Sequence, residues 1–167
     1  MDGGSVWWLH MATGRVAAGL LMYRTTGKGL EVFLVHPGGP YFRNRDAGVW
    51  GIPKGAPEED ETLLEAAKRE FLEETGFPVY EPLLELGMVV QKGGKRVYCW
   101  AFEADLAHLR MVSNFCQIEW PPRSGKWLKF PEADEGRYFT LDEAKGKIIP
   151  EQFAFVERLA AVKGNGK

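Results

Sequence analysis

Apolar positions along the chain follow two rhythms. Near-continuous β-rich runs occupy Gly14–Thr26 and Leu30–His36, separated by the turn residues TGKG, the pattern of a hairpin with a longer connection. Pro37–Gly48 has the proline, glycine, asparagine and aspartate content of a loop. VWGIPKG then makes a short extended piece ending at Gly55, with Pro53 keeping helix away from the residue before it. From Leu63 the spacing turns helical. Acidic residues Glu58 to Glu61 suit the first turn of that helix, where they complement its dipole. Gly76 suits the position just past its last residue, Thr75.

Two further strands are predicted at Leu83–Gln91 and Arg96–Ala104, across the turn residues KGGK. Met111–Asp134, long and proline-containing, yields no regular element. RYFTLDEAKGKI reads as a last strand and a short helix with Thr140 or Asp142 near its start. Pro150 to about Val162 reads as an amphipathic helix with proline at its first position. No repeat or composition break divides the chain. Strands with at least one long helix between them predict an α/β or α+β fold in which helices cover a mixed sheet. One domain spans residues 1–167, with Met1–Thr13 a candidate flexible segment at its start.

Composition and charge narrow the classes. A chain of 167 residues fits one domain with a sizeable core, and 45% hydrophobic with 26% charged residues is ordinary for a globular protein. The formal net charge of −2 argues against a general nucleic-acid coat or a polybasic membrane anchor. No run approaches the ~18 apolar residues of a membrane span, and the start lacks the cationic and apolar parts of a signal peptide. A soluble cytoplasmic protein is expected. Cys99 and Cys116 are too few for a disulfide framework. His10, His36 and His108 share no metal-ligand spacing, and Trp7 and Trp8 read as N-terminal packing.

The candidate chemistry lies in REFLEETG, Arg69–Gly76. At ~100° per residue, Glu70, Glu73 and Glu74 fall within an arc of roughly 100°. Leu63 and Ala67 project with them, so the carboxylates continue the apolar stripe of the helix. A solvated acidic face would lie opposite, where Glu65 and Leu72 stand instead. Carboxylates so placed repel one another and cost desolvation unless paired. A divalent cation resolves the conflict: clustered oxygens suit magnesium or manganese, whereas zinc favours sulfur and nitrogen.

Read outward, Gly55, five residues, Glu61, seven residues, then Arg69-Glu70-Phe71-Leu72-Glu73-Glu74-Thr75-Gly76-Phe77 resembles the Nudix box at every specified position. Average residue usage would produce such a match in a chain this long on the order of one time in ten million. GLLMYR and WGIPKG also resemble the family's lead-in strands. The resemblance implies a Nudix fold, an α/β/α sandwich around a mixed β-sheet. It implies a divalent-metal-dependent pyrophosphohydrolase that cleaves a phosphoanhydride in a nucleoside diphosphate linked to another moiety. Glu70, Glu73 and Glu74 would hold the magnesium or manganese, with the Lys54 backbone carbonyl as a further ligand. Arg69 would pair with Glu61 or Glu73, and Gly55 and Gly76 would mark tight backbone turns.

Family members often take another acidic residue from a loop outside the box. Lys129–Ala144 resembles the loop before the last strand in the diadenosine-tetraphosphate hydrolase branch, which makes Glu132 the matching ligand or general base, with Glu119, Asp134 and Glu135 as alternatives. A dinucleoside polyphosphate is accordingly the first substrate expectation. The tyrosine that marks the branch is displaced, since Gly94 and Lys95 stand at its place and Tyr98 follows. Other readings are a hydrolase of nucleotide sugars, oxidised nucleoside triphosphates or RNA 5′ ends, or a nucleotide-binding module without turnover. Lys54, Arg43, Arg45, Arg123 and Lys126 are the candidates for phosphate contacts. Tyr41, Phe42, Tyr98 and Trp127 are the candidates for stacking a base.

Overall fold

In the computed structural model, which describes residues 16–164, the first hydrophobic run becomes β1 (Val16–Thr26) and turns into β2 (Gly29–Pro37). The readings of Met1–Thr13, including Trp7, Trp8 and His10, fall outside the described residues. β1 lies at the centre of the sheet. β5 (Arg96–Glu103) runs parallel to it on one side and β2 antiparallel on the other. β4 (Leu84–Val90) and β8 (Ala133–Thr140) complete the order β4-β5-β1-β2-β8. The two-residue β3 (Lys54–Gly55) pairs with β1 through Ala18–Gly55 and Gly19–Lys54.

Strands covered on both faces need apolar residues on both, which is why β1 and β2 read as near-continuous hydrophobic runs. Alternation then sorts their side chains into two cores. Ala17, Leu21 and Tyr23 point into one, and Ala18, Leu20 and Met22 into the other. The second core is closed by α1 (Leu63–Thr75), which buries Ala66, Ala67 and Phe71 there. The first is closed by α2 (Leu141–Lys147) and α3 (Phe153–Lys163), which contribute Ala144, Phe155, Val156 and Leu159. The result is the expected fold class, helices on both faces of a mixed sheet. No described helix is long and apolar enough to cross a membrane.

Two details differ from the sequence reading. Glu58 to Glu61 precede α1 rather than forming its first turn, because Thr62 is the N-cap. Its hydroxyl accepts from the Glu65 N–H at 3.1 Å, and the Glu65 carboxylate accepts from the Thr62 N–H at 3.1 Å. The stretch Met111–Asp134 holds a separate hairpin, β6 (Phe115–Glu119) with β7 (Trp127–Pro131). Its alternation is masked because its outer face is aromatic as well as polar, with Phe115 59% and Trp127 67% exposed. Pro121 and Pro122 fall in the connection, where they interrupt no ladder bond.

Candidate active site

Glu70 of α1 lies closely over β3, and Gly55 is the reason it can. A Cβ on Gly55 would stand 2.1 Å from the Glu70 carboxyl carbon and 2.2 Å from its nearer oxygen. Gly55 is thus paired within a strand rather than placed in a turn, and close approach is what requires glycine there. Gly76 is a different case. It takes the left-handed conformation at φ 74°, and its N–H reaches the Leu72 carbonyl at 2.7 Å to end the helix.

Arg69 organises the carboxylates. Its Nε and Nη2 donate to the two oxygens of Glu61 at 2.7 and 2.9 Å, a bidentate fork. Nη1 donates to Glu70 at 2.9 Å and to Glu73 at 3.2 Å, and Nη2 also donates to the Ala56 carbonyl at 3.0 Å. The Arg69 hydrogen bonds, helped by the Glu58 N–H, hold the Glu61 pKa down at about 2. Arg69 is in turn driven further toward its charged form, first by Glu61.

Glu74 has no comparable partner. Its Oε2 is the one buried side-chain oxygen or nitrogen without a hydrogen bond among the described residues. Burial, then repulsion from Glu132 and Glu70, push its pKa up to about 9, while the Lys54 charge and backbone amide pull the other way. Burial also raises the Glu70 pKa, against the opposing hydrogen bond from Arg69.

Glu132 occupies the bend between β7 and β8. Its N–H donates to the Asn114 carbonyl and its own carbonyl accepts from the Gly38 N–H, both at 2.9 Å. Its charge bears on Glu70, Glu74 and the Cys116 thiol, so it faces the same patch as the box. The three alternatives are engaged elsewhere. Glu119 accepts from the Arg123 N–H at 2.8 Å, Asp134 meets His36 Nδ1 at 2.8 Å, and Glu135 pairs with Arg137 at 2.6 Å.

Do these residues fit a divalent ion? Among the described residues no group of three histidine, cysteine, aspartate or glutamate side chains stands ready at ligating distances. Glu70 and Glu73 are turned instead toward Arg69. The donor chemistry nevertheless fits: the set is all carboxylate oxygen, the charges repel, and the buried Glu74 Oε2 is orphaned. A hard cation satisfies all three conditions.

The substrate candidates divide into two groups. Lys54 lies in β3 within electrostatic reach of Glu74. Half-buried Tyr98 on β5 is in register with Ala18, which pairs with Gly55, so the three form a row on the face that α1 covers. Tyr41 and Arg43 stand exposed on the Pro37–Gly48 loop, where the Arg45 guanidinium lies 4.4 Å from the centre of the Tyr41 ring. Arg43 lines a polar cleft of about 450 Å³ with Trp50, Asp134 and Arg137, and no box residue takes part in it. Arg123 and Lys126 are exposed in the β6–β7 connection, Arg123 in the left-handed region at φ 61°. The structure therefore gathers Lys54, Gly55, Glu61, Arg69, Glu70, Glu73, Glu74 and Glu132. It leaves Tyr41, Arg43, Arg123 and Lys126 on exposed segments.

Ser113 and Asn114, which tie Glu132 to the end of α1, escape the sequence reading because no spacing singles them out. The likenesses to other proteins agree with the fold. The NUDIX domain family matches residues 13–159. An uncharacterised 17.7 kDa protein from the e-segB intergenic region of Enterobacteria phage T4 is 34% identical over 88 residues, 51% of this chain and 57% of that one. The match therefore spans little more than half the length of that curated relative. The NUDIX domain of Shewanella oneidensis NrtR, complexed with ADP ribose, superposes with a TM-score of 0.63 at 14% identity, over 97% of this chain and 99% of that one. A C. elegans Ap4A hydrolase in a binary complex gives 0.60 at 21% identity, over 89% and 98%. At these identities the structural neighbours speak for the fold. The family match carries more: it covers nearly the whole chain around an intact box, and the chain belongs to the NUDIX domain family.

Proposed function

We propose that this protein hydrolyses a dinucleoside polyphosphate, such as diadenosine tetraphosphate, at a magnesium or manganese centre held by Glu70, Glu73, Glu74 and the Lys54 carbonyl. The observation that carries the metal assignment is the buried, partnerless Glu74 Oε2 beside the charges of Glu70 and Glu132. When bound, the ion supplies neutralisation of phosphate charge and activation of the attacking water. The chain's own residues do the rest. Arg69, clamped by Glu61, presents the Glu70 and Glu73 carboxylates along one edge. Glu132, held through its backbone and facing the box, accepts the proton of the water at its carboxylate. The Lys54 ammonium meets a phosphate oxygen, and Tyr98 offers a ring on the same sheet face to a base.

The preference for two nucleosides rests on the Ap4A hydrolase neighbour and on the β6–β7 hairpin. From Phe115 to Pro131 the hairpin carries Arg123, Lys126 and Lys129 against Glu119 alone, in a chain whose net charge is −2. Exposed Trp127 stands among those cations, a combination suited to a second base and its phosphates. The NrtR domain that binds ADP ribose supports a second reading, a nucleoside diphosphate linked to a sugar. A phosphate-release screen with magnesium and manganese decides between them, with Glu73→Gln as the blank. ATP plus AMP from diadenosine tetraphosphate supports the first reading, and turnover of ADP ribose or a nucleotide sugar in its place supports the second.

A further inference from the structure

The peptide units on both sides of Glu132 are clasped by one dipeptide. The Asn114 carbonyl accepts the Glu132 N–H at 2.9 Å, and the Ser113 hydroxyl accepts the N–H of the next residue, buried Ala133, at 3.0 Å. The same hydroxyl donates to the Asn114 carbonyl at 2.9 Å, closing a small ring of hydrogen bonds around the bend. The dipeptide and the residue before it are fastened to α1, because the Asn114 N–H donates to the Glu73 carbonyl at 2.7 Å and the Val112 N–H to the Thr75 carbonyl at 2.9 Å. These are carbonyls of the last helical turn, which have no partner inside the helix. Asn114 thus connects the backbone of Glu73 to the backbone of Glu132.

We infer that Ser113 is a positioning residue for Glu132. Its hydroxyl fixes the peptide unit that follows Glu132 and so sets the direction in which the carboxylate leaves the bend. The inference rests on the assignment of Glu132 as the base. Glu132 sits where the β6–β7 hairpin joins the sheet, just after Phe130 and Pro131, which lie against Gly38 and Gly39. At the bend itself the peptide units are held by hydrogen bonds with Ser113, Asn114 and Gly38. A threonine keeps the hydroxyl, whereas an alanine removes the partner of the Ala133 N–H and leaves the Asn114 carbonyl with Glu132 alone.

The test compares wild type with Ser113→Ala, Ser113→Thr, Glu132→Gln and the Ser113→Ala/Glu132→Gln double variant. Hydrolysis of diadenosine tetraphosphate with magnesium is followed together with amide exchange at Ala133. Loss of an orienting partner typically costs 10- to 100-fold in activity. Ser113→Ala should lower kcat about tenfold with KM within twofold, and should speed exchange at the Ala133 amide. Ser113→Thr should restore both. In the Glu132→Gln background the alanine should cost no further kcat, because the group it positions is gone. An inactive Glu132→Gln beside a Ser113→Ala of normal kcat overturns the Ser113 inference alone, as does an equal loss in both backgrounds. A Glu132→Gln enzyme of near-normal kcat removes the base assignment and the Ser113 inference with it. Unchanged Ala133 exchange in Ser113→Ala overturns the clasp whichever nucleotide is turned over.

Discussion

Arg69 grips Glu61 with two hydrogen bonds, at 2.7 and 2.9 Å, and turns its remaining donor edge to Glu70 and Glu73. Only a planar guanidinium can serve both sides at once; a lysine ammonium is a point donor on a flexible stem. Arg69→Lys should therefore lower kcat roughly 10- to 100-fold and weaken the activating effect of magnesium, since the partners that orient metal ligands carry that much. Glu61→Gln should produce a smaller loss of the same kind. A magnesium titration of turnover checks both, and an unchanged midpoint in Arg69→Lys would separate Arg69 from the metal ligands.

Gly55→Ala should be damaging out of proportion to one methyl group. The added carbon would sit 2.1 Å from the Glu70 carboxyl carbon, so α1 or Glu70 must shift. Overpacking of this kind costs about 1–3 kcal/mol, and here it also displaces a proposed ligand. Gly27→Ala, where nothing lies within 4 Å of the added carbon, is the control and should be silent. Thermal melting and turnover of the two variants make the comparison.

Stability should depend on pH through His36. Both ring nitrogens face acceptors, Asp134 at 2.8 Å and the Arg45 carbonyl at 2.6 Å. A neutral imidazole has one N–H and cannot donate to both, so this geometry favours the charged form over the neutral one. Burial opposes the charge, yet the Arg45 carbonyl, Asp134 and Glu135 together raise the pKa above its ordinary value. A raised folded pKa means the stabilisation is complete below the unfolded value of about 6.5. It is then lost as pH rises through the folded value. Melting temperature against pH should fall more steeply over that window in wild type than in His36→Gln.

Trp127→Ala should leave the fold intact, because the ring is 67% exposed on the hairpin. If the hairpin holds the second nucleoside, the variant should raise KM for diadenosine tetraphosphate severalfold, in keeping with about 1–3 kcal/mol for a stacked base. KM for a substrate with one base should not move. Equal effects on both substrates would remove the hairpin from substrate binding.

The parts legible in the sequence are those fixed by local pattern. β1 and β2 announce themselves because burial on both faces fills them almost wholly with apolar residues. α1 does so because its carboxylates break the ordinary amphipathic rule. Gly55 was legible as a box residue, but its reason was not, since the contact with Glu70 joins two elements that periodicity reads separately. The β6–β7 hairpin escaped because exposed Phe115 and Trp127 spoil its alternation. Ser113 and Asn114 escaped because the hydrogen bonds they make to Glu132, Ala133 and Glu73 exist only once three distant segments meet.

On the proposed function, Glu74 is kept, at a cost to stability, for a divalent ion. Its folded pKa of about 9 lies above the ordinary 4.5, so the metal-free protein should lose stability as pH rises between those values. The direct measurement is thermal melting of wild type and Glu74→Gln at pH 8, with and without magnesium. In a domain of this size 1 kcal/mol shifts the midpoint by about 2–4 °C. Glu74→Gln should melt above wild type without metal, and magnesium should raise wild type with the logarithm of its concentration once that exceeds Kd, while leaving the variant nearly unmoved. Equal metal-free midpoints with the same magnesium response in both proteins would contradict this role for Glu74.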